Sequence, residues 1–551
     1  MHRFRLAFAA LLLSTAAHAQ THTTLTMGMA QFPPDMHPAI TATSIKDTIL
    51  FAVNRPMTAY SADASVICAL CTEVPSLANG LARVVRREDG ADGMEVTYHL
   101  KPDLFWADGV PVTAKDVVFT YTTSLMFGPS RTIEKAEATD DHTVKFTLRT
   151  TQYDYARIAN SFAAQAILSE HIEGPVVAAA RTPLEYGEKS NFNRHPENPG
   201  LWLGPYMVQE FRPNEQIILV PNPHWHGTKP GFQKVVMRLI ENTSALQANL
   251  LSGDVDTVAT GNLGITLDQI LSLTKTASAK FDFDFQPSPN SYEHLAVNLD
   301  NPLLADKRVR HAMSMAVDRK TIVTRLFEGK FEPALGFKHP SQFGYDPSVK
   351  TWPYDPKAAK ALLAEAGFKP GPDGILLSPT GQRFSIDLVS TAGNRTRELI
   401  EQVLQTEMKA IGIDIVIKNE PARVMIGETL RKRSFTGLVE FQSDMATDYV
   451  PLIYFASSYI PTAENNWSGL NYMDFHDDAM DQAITLARAE LDAEKRRALW
   501  KPIQDVYAEE MPEIPLYFPA LGLITPKWMT GIVNPRRYGF VTAWIEEWRP
   551  R

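Results

Sequence analysis

The chain has 551 residues, with 63 acidic against 54 basic side chains and a formal net charge of −9. That length calls for more than one domain, and the mildly acidic balance argues against nucleic acid or an anionic membrane as partner. Hydrophobic residues at 44% support a real core, without low-complexity runs or solenoid repeats.

The first predicted element is a leader. Arg3 and Arg5 make a short basic start, residues 6–16 are almost wholly apolar, and Ala17, His18 and Ala19 form a small-x-small cleavage site before Gln20. This order reads as a secretory signal peptide. The apolar run is shorter than the ~20 residues that a membrane-spanning helix needs. Cleavage would leave 532 residues and, without the two arginines, a charge of −11. No cysteine follows the cut and no later stretch is apolar enough to span, so the mature chain is expected to be periplasmic, soluble, monomeric and free of a lipid anchor.

Cys68 and Cys71 are the only cysteines. Export favours a local disulfide between them, with free thiols or redox activity as alternatives. A zinc site would need two further ligands, and no second ligand pair is present. Next comes a capping box, with Thr113 opening a short helix and Asp116 reaching back to the cap amide. His224 and His226 sit in a turn bounded by proline and glycine and are not read as metal ligands. A helix is predicted over 242–251, followed by a Gly253 turn and a strand over 255–258. Asp306 caps a helix with Val309, Ala312, Met313 and Ala316 on one face, and Asp318 caps another that ends near Gly329. Asp355 and Pro356 open a helix that Gly367 ends. The pattern over Arg395–Ala410 gives a longer helix, stopped by Gly412 and followed by an alternating strand over 413–417. Helix, stop and strand in this order build twisted sheets covered by helices, with ligands at the carboxyl ends of strands. The fold class is therefore α/β.

Several segments together resemble the family 5 extracytoplasmic solute-binding proteins, the peptide- and nickel-type receptors of ABC importers. Trp106, Asp108, Gly109, Pro111, Thr113, Ala114, Asp116 and Val117 resemble the family's "WsDGxPlTAeDV" segment. Gly204, Pro205 and Tyr206, followed by Asn222, Pro223, Trp225, Gly227 and Pro230, resemble "GPY…NPdYwggkP". Ser252, Gly253, Asp254, Val255 and Asp256 match "sGeVD". Asp306, Arg308, Val309, Arg310, Ala312, Ala316, Asp318 and Arg319 match "D.RVRqAlsyAiDR". Tyr354, Asp355 and Pro356, and then Pro512, Ile514, Pro515, Leu516 and Tyr517, also fit. The matches keep the family's order along nearly the whole mature chain. Caps, turns and buried stripes explain most of them, so they identify the scaffold and say little about cargo.

The resemblance implies a two-lobed periplasmic-binding fold of mixed twisted sheets, closing on a solute like a clamp. The first lobe would take 20–50, 181–288 and 515–551, with an extra subdomain inserted at 51–180. The second lobe would span 289–514. The chain would cross the hinge near Pro287, Ser288 and Pro289, and again between Pro512 and Pro515. The segment from Glu440 to Tyr449 resembles "W.aDypDP", whose first acid holds a peptide's amino terminus in peptide receptors. That role falls on Asp444, with Phe441 near the family's tryptophan and Tyr449 beyond. One residue is inserted before Asp448, and the following proline is displaced to Pro451. Thr41, Ala42, Thr43 and Ser44 fall where first-lobe residues line the cleft, although a plain helix cap before Ile45 fits equally. Arg395 could meet a carboxylate as a fork, and Asn465, Asn466 and Trp467 form a polar-aromatic loop suited to stacking.

The implied function is a receptor that captures a short peptide or related polar solute and delivers it to a permease and ATPase complex, without cofactor. An exported hydrolase is the rival, but no Gly-x-Ser-x-Gly elbow or zinc-hydrolase motif occurs. A periplasmic chaperone or sensor using the same clamp is a third reading.

Overall fold

The computed structural model describes residues 22–40, 43–61, 65–128, 130, 132–161, 166–445, 448–465, 467–532 and 540–551. The expected leader, Thr41, Ala42 and Asn466 lie outside them.

The first lobe is built on a five-stranded mixed sheet. Its order is Thr257–Val258, Thr24–Met29, Lys234–Leu239, Gln216–Pro221 and Tyr206–Arg212. Leu25, Met27 and Met29 face a core shared with Ile45 and Ile49 of helix Ser44–Val53. Ile545 and Trp548 join that core, so the C-terminal segment returns to the lobe in which the chain starts. A buried ion pair between Arg55 and Glu546 fastens the return at 2.5 Å. Gly204 is needed here: a Cβ on it would lie 2.3 Å from the carbonyl carbon of Val53. The close approach lets its amide donate to the Val53 oxygen at 2.8 Å. Asn222, from the same family segment, donates back to the Gly204 oxygen at 2.9 Å.

A second body is inserted between these pieces. Four antiparallel strands in the order Ala82–Arg86, Asp92–His99, Thr143–Leu148 and Ile133–Asp140 cover helix Ala114–Ser124, whose cap is as predicted: the Thr113 amide donates to Asp116 Oδ2 at 2.8 Å. Its apolar core is drawn from Met57 to Ile167, with Leu203 added from the first lobe. Cys68 and Cys71 are joined by a disulfide at its edge, with Cα atoms 5.0 Å apart.

The second lobe holds a six-stranded sheet in the order Glu332–Pro333, Glu513–Phe518, Ser291–Val297, Leu438–Asp444, Ser385–Val389 and Asp414–Ile417. The last three run parallel and the rest antiparallel. Helices Lys307–Ala316, Arg319–Phe327, Pro356–Glu365 and Arg395–Ala410 pack one face. Helices Asp478–Ala489 and Ala493–Glu510 pack the other. Asp306, Asp318, Asp355 and Asn394 cap the first set through their side chains. The strand expected over 255–258 shortens to Thr257–Val258, because Asp256 turns its carboxylate to accept the Thr26 amide at 2.7 Å.

The lobes are joined by a ribbon in which Phe281–Pro287 pairs antiparallel with Ala520–Pro526. The Ser288 amide donates to the Pro519 oxygen at 2.9 Å, which places the two crossings side by side. This corrects the expected second crossing and the boundary at 514/515. Glu513–Phe518 is a fully buried strand of the second lobe, and the chain leaves that lobe at Pro519. Pro515 is tolerated inside the sheet because the register slips between Glu293 and His294, and proline opposes His294 there. The arginines of the Asp306 to Arg319 segment grip this stretch. Arg310 Nε donates to the Glu510 oxygen at 2.9 Å, and Arg319 Nε to the Pro515 oxygen at 2.6 Å.

Candidate functional site

Three parallel strands of the second lobe end at one edge of its sheet, the place where such folds hold ligands. Leu438–Asp444 brings Asp444 to that edge. The facing strand brings Ser291, three residues past the first hinge crossing. Ser291 Oγ donates to Asp444 Oδ1 at 2.5 Å and Gln442 Nε2 to the same oxygen at 3.1 Å. The Tyr454 hydroxyl donates to the Asp444 backbone oxygen at 2.7 Å, and the Met445 amide to the Asn290 oxygen at 2.6 Å. The acid is thus tied to the hinge on one side and to the helical loop after Pro451 on the other.

Asp444 keeps an exposed side chain, yet burial among surrounding protein drives its carboxyl above the ordinary value. The Ser291 and Gln442 hydrogen bonds oppose that rise, and Glu293 adds to it. The acid stands at the accessible end of a strand whose first three residues are buried. A carboxylate held there gains from a cationic partner that is desolvated with it.

Pleating places Glu293, Glu440, Gln442 and Asp444 on one face of the sheet. Below the acid, Arg397 Nε donates to Glu293 Oε1 at 2.7 Å and its Nη1 to Thr391 Oγ1 at 3.0 Å. Glu440 is fully buried, and among the described residues neither of its carboxyl oxygens has a hydrogen-bond partner. Burial, then the charge of Glu293, pushes it well above the carboxylate range against the pull of Arg397. The layer beneath Asp444 thus combines the Arg397–Glu293 ion pair with a Glu440 carboxyl whose neutral form burial favours.

The same pleat separates Phe441 from Asp444. Phe441 points to the opposite face, where its ring lies 4.4 Å from His294 and 5.9 Å from Tyr472. Tyr449 stays with the loop, 6.5 Å from the Tyr454 ring. Arg395 is exposed, 4.0 Å from Glu398. The inward-turned guanidinium of its helix is that of Arg397, which periodicity did not single out. Asn465 spends its side chain within its own loop: Oδ1 accepts the Thr462 and Ser468 amides at 2.9 and 3.0 Å, and Nδ2 donates to the Ile460 oxygen at 2.7 Å. Trp467 follows in a left-handed conformation, with φ +57°. Thr43 occupies the N-cap of helix Ser44–Val53 without making the cap hydrogen bond, and its buried hydroxyl has no hydrogen-bond partner among the described residues. Ser44 is exposed. A surface groove of about 580 Å³ lined by Gln405, Thr406, Lys409, Ala410 and Asp414 lies at the other end of the Arg395–Ala410 helix from Arg397, away from this edge. Among the described residues no cluster of histidine, cysteine or acidic side chains could hold a metal ion, and no helix is long and apolar enough to cross a membrane.

Two lobes, a two-stranded hinge and an enclosed acid at the carboxyl edge of a sheet define the class of two-lobed periplasmic binding proteins. The chain belongs to the bacterial extracellular solute-binding proteins, family 5, whose middle-region sequence model matches residues 73–462. It is 27% identical over 484 residues to the oligopeptide-binding protein AppA of Bacillus subtilis (strain 168), covering 84% of this chain and 83% of that protein. It is 26% identical over 491 residues to di/tripeptide-binding protein 2 of Pseudomonas aeruginosa (strain UCBPP-PA14), covering 84% of each. The oligopeptide binding protein of Thermus thermophilus, solved with a pentapeptide, superposes with a TM-score of 0.81 at 29% identity over 96% of both chains.

Proposed function

We propose that this protein is the periplasmic receptor of an ABC importer and that it captures short peptides by their amino terminus. It acts as a monomer, performs no chemistry on its cargo and hands it to a membrane permease served by an ATPase. The observation that carries the reading is the enclosed carboxylate of Asp444, held by Ser291 and Gln442 and tied to the hinge. Closing the lobes over a peptide would remove water from the acid and the ammonium together, and the pair then gains strength from its low-dielectric surroundings. The peptide-binding relatives support the choice of cargo. In the layer below, Arg397 is already paired with Glu293 and leaves Asp444 to face the cation.

Native mass spectrometry of freshly exported protein should show a bound peptide in one-to-one ratio. Calorimetric titration with trialanine should give binding that N-acetyl-trialanine loses by at least about tenfold, since acetylation removes the charge that Asp444 faces. Equal affinity for the two peptides would remove the amino terminus from the recognition scheme.

A further inference from the structure

Segment 152–157 of the inserted subdomain makes polar and apolar contacts with the second lobe. Its own side anchors it: the Tyr98 hydroxyl donates to the Ala156 oxygen at 2.9 Å, and Tyr155 packs against the subdomain core. From that anchor Tyr153 reaches out of its own body and packs against the apolar core of the second lobe. Leu491 of the second lobe packs in return against the core of the subdomain. Polar contacts frame the exchange. The Val450 amide donates to the Tyr153 hydroxyl at 3.0 Å. The Tyr153 amide donates to the Arg488 oxygen at 3.0 Å, and Arg488 Nη2 donates to Gln152 Oε1 at 3.2 Å. The Arg496 guanidinium lies 4.5 Å from the Tyr153 ring centre, and Arg157 Nη1 is 3.9 Å from Asp448 Oδ1.

We propose that 152–157 is a reversible latch, by which the inserted subdomain holds the second lobe closed over the loop that carries Asp444. Two observations distinguish a latch from a permanent interface. The grip falls on Val450, six residues after Asp444, and Tyr454 of the same loop bonds the Asp444 backbone. Closure and the geometry of the acid are therefore linked through one short stretch of chain. Second, the contact buries polar atoms that it does not satisfy: among the described residues Asp154 Oδ1 and Arg496 Nε have no hydrogen-bond partner. Permanent interfaces pair nearly all such groups. Here separation returns them to water, so opening recovers hydration while closing gains the exchange of Tyr153 and Leu491. A balance of that kind is set by small added contributions, and cargo between the lobes is one. The inference rests on the closing-cleft reading above, but not on the cargo being a peptide.

Hydrogen exchange by mass spectrometry, read over 448–455, tests the latch in the full mature chain alongside small-angle scattering. Tyr153→Phe keeps the ring and removes the hydroxyl, and should speed exchange of that segment about tenfold with the lobe cores still protected. Tyr153→Ala should speed it further and raise the radius of gyration. A tryptic casein digest, as the cargo probe, should slow exchange there in the wild type and do so less in Tyr153→Ala. Wild-type and Tyr153→Ala proteins that exchange alike over 448–455, or that share one radius of gyration, would overturn the latch. If both variants behave as expected while the digest changes nothing, the latch stands and the peptide reading falls.

Discussion

Asp444 and Glu440 occupy the same strand and the same face, four residues apart, and the fold gives them opposite fates. Asp444 sits at the strand's end, reached by water, with two side-chain donors on one oxygen. Glu440 sits in its middle, sealed under the Arg395–Ala410 helix, with no donor to either oxygen among the described residues. Both carboxyls are pushed upward by burial. Only Asp444 has hydrogen bonds that favour its charged form. The comparison shows that donors and access to water favour an acid's charged form. Burial alone makes it neutral.

The largest effect should come from the charged layer beneath both acids. Arg397→Ala would leave Glu293 buried without its partner, and breaking such a pair typically costs about 3–5 kcal/mol. Thermal unfolding followed by circular dichroism should show a marked loss of stability. A melting curve equal to wild type would mean that this layer does not hold the sheet.

Next comes the acid at the edge. Asp444→Ala should weaken trialanine binding at least about tenfold, within the ~2–5 kcal/mol expected when one partner of a desolvated charge pair is removed. The melting temperature of the empty protein should barely move, because the side chain is exposed there. Unchanged calorimetric affinity would erase the contrast between the two acids.

Glu440→Gln tests the other half. The folded-state carboxyl is raised, so between its unfolded pKa, ~4.5, and its folded value the native state holds a proton that the unfolded state releases. That proton costs stability as pH rises above ~4.5 and costs nothing below it. Glutamine, which never ionises, should therefore raise the melting temperature at pH 8 by roughly 2–4 °C and change little at pH 4. A stabilisation as large at pH 4 as at pH 8 would count against a neutral Glu440.

The smallest effect concerns the support of the functional acid. Ser291→Ala removes a donor that stabilises the charged form of Asp444, and should weaken trialanine binding by about 1 kcal/mol, or roughly fivefold. Trialanine affinity equal to wild type would show that the Ser291 hydroxyl does not support the acid.

How far the site could be read in advance follows from the range of each signal. Asp444 was named as a candidate because its segment is short and contiguous. Its partners were not, because Ser291 stands 153 positions away and meets it only through strand pairing. Arg397 and Arg395 look alike in a list of residues. Arg395 faces solvent and Arg397 faces the sheet, and only the seated helix shows it. Phe441 and Asp444 share one family-like segment, yet a strand sends alternate residues to opposite faces and parts them. The hinge crossing was placed too early for a related reason. Pro512 and Pro515 look like connectors until the bulge opposite His294 makes room for one of them inside the sheet.

By itself the sequence determined what four to seven neighbouring residues can encode. The caps at Asp306, Asp318 and Asp355, the Arg395–Ala410 helix and the cysteine pair three apart are all of that kind. So is the ordered set of segments that marks the family. Tertiary structure alone decided where the chain leaves the second lobe, which arginine is buried, which face each strand residue takes and which segment of the subdomain reaches across the cleft. Those outcomes depend on pairings between residues a hundred or more positions apart, and the burial that shifts a carboxyl exists only once both sides of the sheet are covered.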